Sequence, residues 1–374
     1  MLYFAHMFDT LSQIATGILT AFLSVSFFFA NTIEQRFQNT SNGDSLAEHE
    51  KQVPTLLPSE YQDREIPRIL LDSLQYQQAN LLDRDSTRRN FTTNPEEALV
   101  NIFCTFTSNR SVRTTTGSGF FIHENGIVLT NAHVAQTLLL ETISDIGTTE
   151  CIIRSGSPAQ DKYRAALLYL PPSWIQEHAA TIVADAALGT GERDYALLYI
   201  KESLTKEPLP ARFPALEIDP GLITQGFMRE TITAAGYPAA NRSLSSLTND
   251  LTPVVANTTV SNLYTFGSNF ADLFSMRGSA VGENGSSGGP VLNQAGKVVG
   301  MITTRGNDQV DGQGSLRAIT ISYIDRTITQ ETGFNLEQSL RGDLPFRAHI
   351  YTSTLAPFLS NILARELRNW ESAL

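Results

Sequence analysis

The chain has 374 residues, 27 Lys and Arg against 38 Asp and Glu, a net charge of −11 and 41% hydrophobic residues, which describe a folded, mildly acidic protein of roughly two domains or one two-lobed domain. Only five of the cations are Lys, too few for a surface that tracks phosphates, so nucleic acid is excluded as a partner. Two Cys exclude a disulfide-dense scaffold and a four-cysteine zinc site, and the scattered His6, His49, His123, His178 and His349 lack ligand spacing, so no metal and no cofactor is expected.

Residues 1–35 contain no Lys or Arg, and Leu11 to Ala30 carry no charge at all. About twenty helical residues at 1.5 Å each match a hydrocarbon core of ~30 Å, which predicts a membrane segment within residues 1–30. A buried core helix is disfavoured because Leu23 and Phe27, Phe28 and Phe29 leave no polar face. A cleaved signal peptide is the alternative: Ala30 could precede a cleavage site, but Phe28 stands where a small residue is wanted and no basic segment precedes the apolar run. An uncleaved anchor is the reading adopted, with its orientation unset, since the nearest cation is Arg36. Residues 31–95 are polar and punctuated by Pro54, Pro58 and Pro67, as a stalk would be. Within it Ile66, Ile69, Leu70, Leu74 and Leu81 fall near helical spacing, which predicts a short amphipathic helix lying against the main body.

From Glu96 the pattern changes to short apolar runs separated by turn residues, beginning with Ala98–Phe106. Such a series predicts an all-β sandwich or barrel. Ser118–Thr130 reads as a hairpin in which Asn125-Gly126 takes the positive φ angles of a tight turn, delivering the chain to Asn131-Ala132-His133. Further strands are expected at Cys151–Arg154, Ala196–Ile200, Thr231–Ala235, Val254–Val260, Val298–Thr303 and Ala318–Ser322. Leu355, Phe358, Leu359, Ile362, Leu363, Leu367 and Trp370 recur at three or four residues and predict a C-terminal helix with one apolar face.

Three short segments carry chemistry. Gly285-Ser286-Ser287-Gly288-Gly289-Pro290 suits a nucleophile, since the hydroxyl must be exposed beside convergent N–H groups and glycines permit the turn that arranges this. His133 stands at the end of the hairpin strand, and Asp194 enters the apolar run Tyr195–Ile200. Read alone, each has a bland explanation: a Gly/Ser loop, a structural His, an Asp that ends a strand. Together they supply a nucleophile, a base and an orienting carboxylate. A Ser hydroxyl is nearly inert at neutral pH until an imidazole can take its proton, and that imidazole needs a buried acceptor to fix its tautomer.

The segments TNAHV at His133, RDYALL at Asp194 and GSSGGP at Ser287 resemble, in order and spacing, those of chymotrypsin-fold (trypsin-like) serine peptidases, and GSGFFIHENGIVLTNAHV resembles their Deg/HtrA-like branch. The resemblance covers about residues 96–330. It implies two six-stranded antiparallel barrels, with His133 and Asp194 on the first and Ser287 on the second, and an oxyanion hole formed by the N–H groups of Gly285 and Ser287. It also implies a primary pocket lined by Val281 and Gly282 on one side and Thr303, Thr304 and Arg305 on the other. No acid occupies position 281, so a preference for small or medium apolar side chains is expected over Lys or Arg. Once this fold is supposed, Cys104 and Cys151 fall on strands that could lie close together, so a disulfide between them is one expectation and two reduced, buried thiols the other.

Departures from the family pattern are informative. Glu141–Arg193, with Pro171-Pro172-Ser173-Trp174 inside it, is longer than in compact members and predicts an extra surface loop near the cleft. Ser286 stands where zymogen relatives carry an Asp that pairs with a freed N-terminus, so activation by N-terminal cleavage is not expected. Residues 331–374 are expected to form a helical extension, too short for the PDZ module of the HtrA-like proteins. The resulting expectation is a single-pass membrane serine endopeptidase with an extracytoplasmic catalytic domain, or a secreted one if the signal is cleaved, acting on peptide or protein substrates. The rival is a catalytically silent protease-like domain that binds peptides or unfolded proteins at a membrane surface.

Overall fold

The computed structural model describes residues 91–184, 190–239, 243–278, 280–282, 285–306, 309–311 and 314–372. The expected anchor at residues 11–30, the stalk up to residue 90 and the helix expected near residues 66–81 lie outside the described residues. Among the described residues no helix is long and apolar enough to cross a membrane.

The strands close into two six-stranded antiparallel barrels. The first contains β1 (Leu99–Thr107), β2 (Val112–His123), β3 (Ile127–Thr130), β4 (Thr148–Ser155), β5 (Gln160–Tyr169) and β6 (Ala196–Ser203), in the closed order β1-β2-β3-β6-β5-β4. Apolar side chains at alternate positions fill it: Ile102, Cys104 and Phe106 of β1 point inward, while Phe103 and Thr105 between them are only half-buried. The β2–β3 hairpin differs from expectation. Gly126 alone takes a positive φ, of 81°, and the register shifts between Phe121 and His123. The connection is therefore a three-residue loop with a bulge, which needs only one left-handed residue instead of two.

Cys104 and Cys151 face each other across β1 and β4, both fully buried, and their sulfurs are bonded. The bond closes a loop across 47 residues, a length for which constraining the unfolded chain is worth up to about 4 kcal/mol. Replacing both Cys by Ala is expected to lower stability by about 2–4 kcal/mol. Urea unfolding measures this; an unchanged midpoint would show that the bond does not contribute.

The second barrel contains β7 (Thr231–Gly236), β8 (Val254–Tyr264), β9 (Leu273–Met276), β10 (Pro290–Leu292), β11 (Val298–Arg305) and β12 (Leu316–Thr320), in the order β10-β11-β12-β9-β8-β7. The buried Arg154 of β4 helps join the barrels: it donates twice to Asn101 Oδ1 (2.9 and 2.7 Å) and once to the Leu247 carbonyl (2.9 Å) in the short helix Leu244–Asn249 between β7 and β8. Tyr237 returns the contact, donating its hydroxyl to the Gly156 carbonyl at 3.0 Å.

The helices that position the site are α1 (Ala132–Ala135), α2 (Pro172–His178), α3 (Ile321–Thr332), α4 (Leu336–Ser339), α5 (Leu344–Thr354) and α6 (Ala356–Ser372). The last strand stops at Thr320, two residues short of the expected end, because the Thr320 hydroxyl accepts the Tyr323 N–H and caps α3. Within the stretch between His133 and Asp194 where an extra surface loop is expected, residues 172–183 form α2 and a short 3-10 turn, Ala179–Val183, with Trp174 and Ile175 buried; residues 185–189 lie outside the described residues. Helix α6 packs over them and over the 3-10 turn Gln136–Thr142 that follows α1. Its buried stripe is Leu359, Leu363 and Leu367, with Ala356, Ser360 and Ala364 beside it. Phe358, expected on that stripe, sits about 100° around the helix from Leu359 and is 58% exposed.

Candidate active site

Strand pairing alone brings His133 and Asp194 together. Thr130 at the end of β3 lies opposite Ala196 at the start of β6, so the residues just beyond one strand meet those just before the other. Asp194 Oδ2 lies 2.8 Å from His133 Nδ1, and Asp194 Oδ1 accepts the His133 backbone N–H at 3.0 Å. Asn131 fastens the same junction by donating its side-chain amide to the Asp194 carbonyl at 2.8 Å. A further donor comes from the second barrel: Thr303 Oγ1 gives its proton to Asp194 Oδ2 at 2.7 Å.

The Asp194 side chain is 6% exposed. Burial by itself would raise its pKa, but the His133 charge, the two His133 hydrogen bonds and the Thr303 hydroxyl outweigh it and hold the group below the usual carboxylate range. Asp194 is thus an anion aimed at one imidazole nitrogen.

Arg193, immediately before it, takes a left-handed φ of 52°. Helix α3 pins this turn: Tyr323 Oη accepts the Arg193 N–H at 3.1 Å, Thr327 Oγ1 donates to Tyr195 Oη at 3.0 Å, and Glu331 lies 3.2 Å from the Arg193 guanidinium. Glu331 also accepts from Ser173 and Tyr169, so α2 and the end of β5 are tied to the same helix. Burial keeps the Tyr169, Tyr195 and Tyr323 hydroxyls above the ordinary phenol range.

Ser287 stands half-buried on the loop before β10, between Gly285 (φ 97°) and Gly288 (φ 89°). A Cβ at Gly288 would lie 2.0 Å from the Ser118 carbonyl oxygen, so the approach of the first barrel to this loop admits no other residue there. Ser287 Oγ donates to the Thr303 carbonyl at 3.4 Å. Thr303 therefore touches both Asp194, through its side chain, and Ser287, through its backbone. Among the described residues no protein acceptor takes the N–H of Gly285 or Ser287, while the Gly288 N–H is bonded to the Ile302 carbonyl and the Gly289 N–H to that of Ser286. Ser286 is fully buried and its hydroxyl has no hydrogen-bond partner among the described residues.

The residues expected to line the pocket divide. Val281 is fully buried within the apolar core of the second barrel, and Gly282 is buried beside it. Thr303 is turned toward Asp194, Thr304 is half-buried and Arg305 is exposed. Thr303 was legible only as a pocket wall; its hydroxyl bond to Asp194 depends on a contact across 109 residues. Among the described residues no group of His, Cys, Asp or Glu could hold a metal ion.

Residues 117–301 match the family model of the trypsin-like peptidase domain. No curated protein matches the chain. Among solved structures, the active form of the Rv3671c protease from M. tuberculosis aligns with a TM-score of 0.39 at 18% identity, over 63% of this chain and 81% of that one. An inactive form of that protease aligns with a TM-score of 0.37 at 17% identity, over 63% of this chain and 89% of that one.

Proposed function

The chain carries a trypsin-like peptidase domain of chymotrypsin fold and is a serine peptidase; from that premise we propose that it is an endopeptidase working through an acyl-enzyme on Ser287. In this reading Ser287 Oγ attacks the peptide carbonyl and His133 Nε2 accepts its proton, then returns it to the leaving amine. Asp194 holds the Nδ1 proton of His133, so that Nε2 is the free base. The N–H groups of Gly285 and Ser287, which meet no protein acceptor among the described residues, stabilise the oxyanion. The observation that carries the proposal is the 2.8 Å contact between His133 Nδ1 and the buried Asp194 carboxylate, joined to Ser287 through Thr303.

One feature favours the rival reading of a silent peptide-binding domain: Ser287 Oγ is bonded to the Thr303 carbonyl and not to His133. Hydrogen bonds between nucleophile and base are often long or poorly aligned without substrate, so this contact by itself does not disqualify the site. A fluorophosphonate probe separates the readings. Covalent labelling of the native protein at Ser287 is expected; a folded protein that binds peptides yet takes up no probe would favour the silent domain.

The pocket residues support small or medium apolar side chains as the preferred substrate class, because the buried Val281 offers no charge to pair with Lys or Arg. The Cys104–Cys151 bond supports an oxidising compartment for the catalytic domain, and hence an extracytoplasmic position beyond an anchor at residues 11–30, or secretion if that segment is removed.

A further inference from the structure

We infer that Ser118 of the first barrel is a positioning residue that clamps the nucleophile loop of the second; this rests on the reading of Ser287 as nucleophile and of the Gly285 and Ser287 amides as oxyanion donors. Ser118 lies in β2 and is fully buried. Each of its polar groups is engaged. Its hydroxyl donates to the Gly285 carbonyl at 2.7 Å and accepts the Tyr237 N–H at 2.8 Å. Its own N–H donates to the Ser287 carbonyl at 2.7 Å, and its carbonyl accepts Thr130 Oγ1 at 2.7 Å.

Three successive carbonyls of the loop are thereby tied down: Gly285 to the Ser118 hydroxyl, Ser286 to the Gly289 N–H at 2.9 Å, and Ser287 to the Ser118 N–H. Within one peptide plane the carbonyl and the N–H point in opposite directions. Tying the Ser286 carbonyl therefore aims the Ser287 N–H, and tying the Gly285 carbonyl keeps Gly285, at its φ of 97°, from turning its flanking planes. The backbone of any residue at 118 could hold Ser287, but only a hydroxyl there can hold Gly285 and Tyr237 at once. Thr130 connects the clamp to the strand that leads to His133, so the residue that aims the oxyanion donors is bonded to the segment that carries the base.

The test measures the fluorophosphonate labelling of the full chain as a maximal rate, kinact, and a saturation constant, KI, with Tyr237 amide hydrogen exchange and Tm recorded for each variant. Ser118→Ala is expected to lower kinact about 10- to 100-fold, less than the ~10²–10³ of losing an oxyanion donor outright, with KI unchanged and faster exchange at Tyr237. Ser118→Thr, which keeps the hydroxyl, is expected to restore kinact to within about threefold of wild type. A folded Ser118→Ala protein with wild-type kinact, or a loss confined to KI, would overturn the inference, as would a folded Ser118→Thr protein with the same loss as the Ala variant. If Ser118→Ala does not fold, Ser118→Cys, similar in shape but a weak donor, is read by the same criteria. A wild type that takes no label would sink the catalytic reading instead; unchanged Tyr237 exchange on loss of the hydroxyl would then still overturn the clamp.

Discussion

Ser287→Ala is expected to lose about 10⁶-fold in kcat while remaining folded. The fold should survive because the Ser287 hydroxyl makes one long hydrogen bond, 3.4 Å to the Thr303 carbonyl, and deleting a neutral bond of that kind costs about 1 kcal/mol or less. The loop's shape comes from elsewhere: the left-handed Gly285 and Gly288, and the Ser287 carbonyl held by the Ser118 N–H. Catalysis should not survive, because the hydroxyl removed is the group that His133 would activate, and among the described residues no hydroxyl that could replace it is hydrogen-bonded to His133. Some acceleration over the uncatalysed reaction, about 10³–10⁴-fold, would remain from the oxyanion donors and from substrate binding. Hydrolysis of denatured casein, with fluorophosphonate labelling and thermal melting in parallel, reads all three consequences. A Ser287→Ala protein that melts normally and still cleaves at a comparable rate would exclude Ser287 as the nucleophile.

His133, Asp194 and Ser287 were readable as candidates because each sits in a local segment whose residue types suit the chemistry proposed for it. A nucleophile on a tight turn needs glycines, and GSSGGP supplies them; His133 and Asp194 flank strands whose apolar runs are unmistakable. Residues that act across the barrels were not readable in the same way. Thr303 reaches Asp194 over 109 residues and Ser118 reaches Gly285 over 167, and no local pattern distinguishes a Thr or Ser with such a partner from one without. The helical structure between His133 and Asp194 was obscured because Pro171-Pro172 reads as a loop. Proline is nevertheless well suited to the first turn of a helix, where its missing N–H costs nothing, and Pro172 opens α2. The boundary at Thr320 was hidden by β-branched residues on both sides of the cap: Ile319 lies in a strand, Ile321 begins a helix, and the difference lies in the Thr320 hydroxyl bonded to the Tyr323 N–H.

Asp194→Asn should lower kcat about 10⁴-fold with little change in binding, and the reason is a count of acceptors. Asp194 Oδ2 receives the Thr303 hydroxyl and faces His133 Nδ1, and Oδ1 receives the His133 backbone N–H. An Asn has one oxygen for these three donors. If its amide nitrogen takes the Oδ1 position it opposes the His133 N–H; if it takes the Oδ2 position it donates to His133 Nδ1. The second arrangement is the better satisfied, since the Thr303 hydroxyl can turn to accept. It leaves the imidazole proton on Nε2, the atom that must be free to take the proton of Ser287. The same substitution should alter the acid limb of stability. Because the Asp194 carboxyl has a folded pKa below its unfolded one, its stabilisation is fully present above the unfolded value of about 3.9 and is lost as pH falls through the folded value. The stability difference between wild type and Asp194→Asn should therefore shrink as pH falls below about 5, where the unfolded carboxyl begins to take up a proton that the folded one refuses until lower pH. Urea unfolding at several pH values, paired with casein hydrolysis near neutrality, tests both halves. A folded Asn variant with wild-type kcat would remove Asp194 from the mechanism, and a stability difference independent of pH down to the acid transition would mean that its carboxyl is not held below the ordinary range.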